Sequence, residues 1–152
     1  MPQSDTGAKV ISETRLQVPF FDVDSLNIVW HGNYCKYLEI ARCELLEKIG
    51  YDYTVMRATG FAFPIVEMKI KYILPLQFQQ RICIQVEMLE WEHRLKFGYQ
   101  ICDEQTQAVH TRATSIQAAV ALGDQHLQLL CPKVFTEKVE RYIGATFEGA
   151  QQ

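Results

Sequence analysis

A single four-turn stretch of helical period, followed by a long run of period-two segments, narrows what this chain can fold into. Tyr34, Tyr37, Leu38, Ala41, Leu45, Leu46 and Ile49 recur at the spacing that puts them on one face of a helix. Glu44 and Lys48 form a favourable i,i+4 pair on the opposite side, and Gly50 supplies a C-terminal stop. Before this helix, Leu16, Val18 and Phe20 alternate with Arg15 and Gln17, which reads as a first strand. After a short helical turn over Tyr53 to Ala58, the period becomes two. Strands are expected over Phe61 to Ile73, with Pro64 interrupting the first part, over Arg81 to Leu89, over Leu95 to Ile101 and over Val109 to Leu122. Gly123-Asp124 signals a turn, and His126 to Leu130 reads as a short last strand. Val134, Phe135, Val139, Tyr142 and Ile143 suggest a C-terminal helix. One apolar-faced helix among the strands of a meander buries itself only by lying across the sheet. That predicts an α+β, two-layer architecture.

The chain has 152 residues, enough for one domain, with 48% hydrophobic residues to build a core without metal or disulfide staples. Residues 1–12 read as a flexible tail, 13–145 as a single domain and 146–152 as a second tail. The net charge of −3 argues against a broad basic surface for nucleic acid and leaves room only for a local basic patch. Cys35, Cys43, Cys83, Cys102 and Cys131 are an odd number with no C-x-x-C spacing, as expected of reduced thiols in the cytoplasm. No apolar run approaches the ~20 residues of a membrane span. His31, His93, His110 and His126 lack paired ligand spacing, so no metal is expected, and no glycine-rich nucleotide motif or G-x-S-x-G is present.

The segment from Phe21 to Tyr34 concentrates the chemistry. Asp22, Asp24 and His31 stand within ten residues of one another, just before the helix. Ile28-Val29-Trp30 should anchor this loop to the core, leaving Asp24 partly desolvated and therefore a better base or nucleophile. Asn33 suits the N-cap, and Tyr34-Cys35-Lys36 brings no acid into the first turn. The helix amides are then available to a developing oxyanion, and Gly32 allows close backbone approach. The same residues also serve plain structural ends: either Asp can cap a turn, His31 can be a satisfied structural side chain, and Asn33 an ordinary cap.

Asp22-x-Asp24-x-x-Asn27-Ile28-Val29-Trp30-His31-Gly32-Asn33-Tyr34, followed by Tyr37-Leu38-Glu39-x-Ala41-Arg42, resembles the signature of the hotdog-fold acyl-CoA thioesterases related to 4-hydroxybenzoyl-CoA thioesterase. Phe63-Pro64-Ile65-Val66-Glu67, with Tyr72 and Pro75, is similar to the second strand of that family. The resemblance implies a hotdog: a long helix wrapped by a curved antiparallel sheet of five or six strands. It implies a homodimer paired edge to edge, or a homotetramer, with sites at the dimer interface. The activity implied is cofactor-free hydrolysis of an acyl-CoA to free acid and CoA. Asp24 takes the place of the catalytic carboxylate, as nucleophile or as base for water. His31 takes the place of the residue whose amide meets the thioester oxygen, and Asn33 and Tyr34 fall among the substrate-binding positions. The turn holding Trp91, Arg94 and Lys96 resembles one that some members set against the nucleotide of CoA; the alternative is a solvated hairpin. Lys69 and Lys71 read as the wet face of a strand. The family usually has glycine where this chain has Asn27, and asparagine is the non-glycine residue best suited to positive φ. Alternative readings are an acyl carrier protein thioesterase and a hotdog that binds acyl thioesters without cleaving them.

Overall fold

The computed structural model describes residues 9–150, and the side chains of 9–145. Strand β1 (Val10–Gln17) buries Val10, Ser12 and Thr14 and exposes Ile11, Glu13 and Arg15, the alternation of a strand with one face inward. It leads through a 3-10 turn (Phe20–Asp22) and the motif loop into helix α1 (Tyr34–Lys48). Tyr34, Tyr37, Leu38, Ala41, Leu45 and Leu46 form the buried face of α1, as their spacing predicts. The helix ends at Gly50, whose φ of 78° lets the Tyr51 amide return to the Leu46 carbonyl at 2.9 Å. Helix α2 (Tyr53–Ala58) is capped by Asp52, whose carboxylate accepts from the Val55 amide at 2.9 Å.

The strands that follow are β2 (Phe61–Ala62), β3 (Ile65–Tyr72), β4 (Arg81–Glu90), β5 (Leu95–Asp103), β6 (Val109–Gln117) and β7 (Val120–Ala121), before helix α3 (Lys133–Ala150). Five of them form an antiparallel sheet in the order β1-β4-β5-β6-β3, and β2 pairs with β7. Helix α1 lies on one face, against β1 and β4, where Ile82, Ile84, Val86, Leu95, Phe97 and Ile101 are fully buried. Each such side chain contributes ~1.5–3 kcal/mol of burial. Phe135 of α3 closes the core against Tyr51 and Phe63, with ring centroids 5.3 and 5.4 Å away.

Several expectations change. The first strand begins at Val10, so residues 10–12, assigned to a tail, are paired to β4; residues 1–8 lie outside the described part. At the other end α3 runs to Ala150, into the expected second tail, and 151–152 are not described. The sheet is not a plain meander. β3 precedes β4 in the chain but sits beyond β6, because residues 73–80 cross the end of the sheet. The long strand expected from Val109 to Leu122 breaks after Gln117, and Val120–Ala121 turns away to pair with β2. His126 to Leu130 makes only one bridge, Val120 to Leu127, and is not a strand. Pro64 separates β2 from β3, as its missing amide requires.

Candidate active site

The motif forms a tight loop clamped on three sides. Val23 bridges Val29, and the Asp24 amide donates to the Ile28 carbonyl at 2.9 Å. Between them is a turn in which the Asn27 amide donates to the Asp24 carbonyl at 3.0 Å, with Asn27 at a φ of 62°. The Asp24 carboxylate accepts from the Leu26 amide at 2.8 Å, an Asx turn. Its second oxygen has no hydrogen-bond partner among the described residues, and the side chain is half-buried. The Val29 amide donates to the Leu76 carbonyl at 2.8 Å, so the crossover that carries the chain from β3 to β4 pins the loop.

Asp22 has a different task. It is 2% exposed, and its carboxylate takes the Tyr37 hydroxyl at 2.7 Å and the Lys36 ammonium. Its carbonyl accepts from the Trp30 amide at 3.0 Å and from the Asn33 carboxamide at 2.9 Å. Burial, and then the Asp22 carboxylate, push the Tyr37 phenol up, so Tyr37 stays a donor. Asp22 thereby ties the loop to the first turn of α1.

His31 opens a 3-10 turn (His31–Asn33) that runs directly into α1. Its ring is exposed, 4.9 Å from the Trp30 ring and edge-on to Tyr72 at 6.5 Å between centroids. Its carbonyl accepts from the Tyr72 hydroxyl at 2.9 Å. The amides of His31 and Gly32 meet no acceptor among the described residues, and they lie at the positive end of α1. A Cβ on Gly32 would stand 2.2 Å from the Trp30 ring, so it is the indole that approaches this backbone.

The loop and helix start thus gather Asp24, His31, Asn33 and Tyr34, though not in the expected postures. Asn33 is already helical, at φ −78° and ψ −14°, and makes no side-chain cap; its carboxamide is spent on Asp22. Tyr34 is buried, its hydroxyl accepting from the Leu76 amide at 3.3 Å. Trp91, Arg94 and Lys96 lie elsewhere. β1 ends beside the start of β4, at Gln17 and Arg81, whereas the Trp91 turn follows the end of β4. Ten strand residues separate the two ends, ~30 Å at ~3.3 Å per residue. Arg94 is held by Glu90 at 3.0 Å, Trp91 packs partly against the core, and Lys96 opposes Glu90 in the ladder. Tyr72 escaped the sequence reading as a support of His31; its place at the end of the inward-facing series Met68, Ile70, Tyr72 was the available signal.

One long helix laid across a curved five-stranded antiparallel sheet, with a carboxylate loop at the helix start, is a hotdog fold. The chain matches the Thioesterase-like superfamily over residues 18–139. It therefore belongs to that superfamily. It is 26% identical over 92 residues to YneP of Bacillus subtilis, provisionally named an acyl-CoA thioesterase, covering 60% of this chain and 67% of that protein. It is 26% identical over 86 residues to the chloroplastic acyl-acyl carrier protein thioesterase ATL2 of Arabidopsis thaliana, covering 57% of this chain and 46% of that one. Across the curated relatives the match spans between about half and two thirds of their length. Among solved structures, a DHNA-CoA thioesterase from Staphylococcus aureus superposes with a TM-score of 0.78 at 18% identity, over 91% of this chain and 95% of that one.

Proposed function

We propose that this chain is an acyl-CoA thioesterase that releases a free acid and CoA. The observation that carries the reading is the pairing of Asp24, with one carboxylate oxygen uncommitted, and two unsatisfied amides at the start of α1. The thioester oxygen sits against the His31 and Gly32 amides, which strengthen their hold as negative charge grows on it. Asp24 attacks the carbonyl carbon, or takes a proton from a water that does so. The tetrahedral intermediate collapses, the C–S bond breaks, and the CoA thiolate leaves and is protonated by solvent. Direct attack would leave an acyl-Asp24 anhydride, which water then hydrolyses.

The chain works as a homodimer or homotetramer in this reading. Ile65, Val66 and Tyr72 are exposed on β3, whose outer edge has no strand beside it among the described residues. A second copy pairing along that edge covers them and brings its own chain to the site. Five free cysteines suit the reducing cytoplasm.

The test is Asp24→Asn, assayed by CoA release across a panel of acyl-CoAs. The amide oxygen still accepts from the Leu26 amide, so the turn is retained. Turnover should fall by ~10²-fold or more; undiminished turnover in a folded variant sinks the assignment. A rapid acid quench of a single turnover with an acyl-labelled substrate separates the two roles, since label is retained on the protein only when an acyl-Asp24 anhydride forms.

A further inference from the structure

Each amide at the start of α1 belongs to a planar peptide unit whose other end is a carbonyl, so what that carbonyl meets fixes the aim of the amide. The His31 amide shares its peptide with the Trp30 carbonyl, which accepts from the Asn33 amide at 2.9 Å. That bond closes within the 3-10 turn itself and draws on nothing farther along the chain. The Gly32 amide shares its peptide with the His31 carbonyl, which accepts from the Tyr72 hydroxyl at 2.9 Å. This second support comes from the last residue of β3, 41 positions later, and the register of β3 on β6, with Tyr72 opposite Thr111, delivers it. Tyr72 is 47% exposed, yet its ring is braced. It meets the Tyr34 ring edge-on at 4.8 Å and the His31 ring at 6.5 Å between centroids. Tyr34 is in turn buried, with its hydroxyl on the Leu76 amide. Partial burial pushes the Tyr72 phenol up, so it keeps its proton and stays a donor.

We infer that Tyr72 is a positioning residue for the oxyanion site: through the His31 carbonyl, its hydroxyl orients and polarises the peptide whose Gly32 amide meets the thioester oxygen. This assignment rests on the thioesterase reading above. A hydrogen bond accepted at a peptide carbonyl draws electron density toward that oxygen and leaves the N–H at the other end more positive. Tyr72 thus acts on the reacting carbonyl through one peptide unit without touching it. The support gains worth as negative charge collects on the thioester oxygen, so it favours the transition state over the bound substrate. Its loss belongs in kcat and leaves KM nearly unchanged. Deleting an oxyanion donor outright costs ~10²–10³-fold in kcat, and weakening one whose amide stays in place costs less, ~10-fold.

The experiment follows CoA release by the full chain on benzoyl-CoA and decanoyl-CoA, with Tyr72→Phe and Asp24→Asn measured side by side. Tyr72→Phe keeps the ring that packs on Tyr34 and removes only the hydroxyl. It should lower kcat ~10-fold with KM within about twofold of the parent value. A 4-aminophenylalanine at position 72 keeps the ring and offers a weaker N–H donor, so its kcat should fall between the two. The direct readout is the infrared carbonyl band of benzoyl-CoA, ¹³C-labelled at the thioester carbon and bound to the Asp24→Asn chain. Adding Tyr72→Phe should move that band to higher frequency, because the Gly32 amide then holds the oxygen less tightly. A side chain that merely braced the fold would move urea stability and leave the band where it was. A kcat that does not follow the order of the three donors, a change confined to KM, or an unmoved band overturns the inference. If Asp24→Asn is disabled in the same assays, the thioesterase reading stands without it. Undiminished turnover in Asp24→Asn, or a parent chain that releases no CoA, overturns the thioesterase reading instead and takes this inference with it.

Discussion

Asp22 and Asp24 are two residues apart and chemically alike, yet they do opposite work. Asp22 is enclosed by Tyr37 and Lys36, whereas Asp24 holds one amide and keeps an oxygen free. Asp24→Asn should therefore change stability by only ~0.5 kcal/mol while reducing turnover. Tyr37→Phe should do the reverse. It removes a donor from a buried carboxylate, at a cost of ~1–3 kcal/mol, which urea denaturation would measure. Asn27 is the third informative residue. Its φ of 62° is the conformation that glycine adopts freely and that asparagine tolerates. Asn27→Gly should be neutral in stability and activity, and Asn27→Val should cost ~1–2 kcal/mol and disturb the Asp24 turn. The spacing of the sequence placed two acids side by side, and only the family resemblance singled out Asp24. Which acid is enclosed depends on Tyr37, fifteen positions later, turning its hydroxyl back to the loop.

At the scale of elements, α1 was the most legible part. Its apolar face, its length and its Gly50 stop all follow from 3.6-residue spacing and local capping. The short segments after β6 were not. Val120–Ala121 and the residues behind it look like the continuation of one strand, but their alternation reports only that they are extended, not which strand they join. The seat of α3 shows a further consequence of packing. Cys131, next to the helix, is buried, and its amide donates to the Glu92 carbonyl at 2.7 Å. Burial, and then Glu90, push its thiol from the ordinary 9.0 up to about 12. A native Cys131 keeps its proton where the unfolded chain has lost it, so its contribution to stability is complete below pH ~9 and disappears as pH rises toward ~12. The Tyr37 phenol, also raised, acts in the same direction. Stability in urea should thus decline with pH above ~9. At pH 8 a thiol reagent should label the exposed Cys35 well before Cys131.

At the scale of the whole molecule, the Asp24 loop lies at one end of the sheet and the Trp91 turn at the other, with large apolar side chains exposed beside the loop. Phe20, Phe21 and Leu26 are 73%, 80% and 75% exposed beside the loop. Leaving such a group of large apolar side chains in water is costly, which supports assembly. Sedimentation should find a homodimer or homotetramer. On the proposed edge-to-edge pairing, a lysine in place of Val66, exposed on the edge strand, should shift the population toward monomer and lower turnover with it.

By itself the sequence determined helix α1, the main strands of the sheet with their inward faces, and the position of a carboxylate loop ahead of a helix start, since each is set by residues a few places apart. Tertiary structure alone decided that β3 lies beyond β6, that Asp22 is enclosed and Asp24 open, that Asn33 serves Asp22 instead of capping, and that Lys71 stands against Arg112. Those outcomes depend on contacts between residues far apart in the chain. A periodicity marks which face a residue occupies, but the neighbour it meets there is chosen by strand order and register.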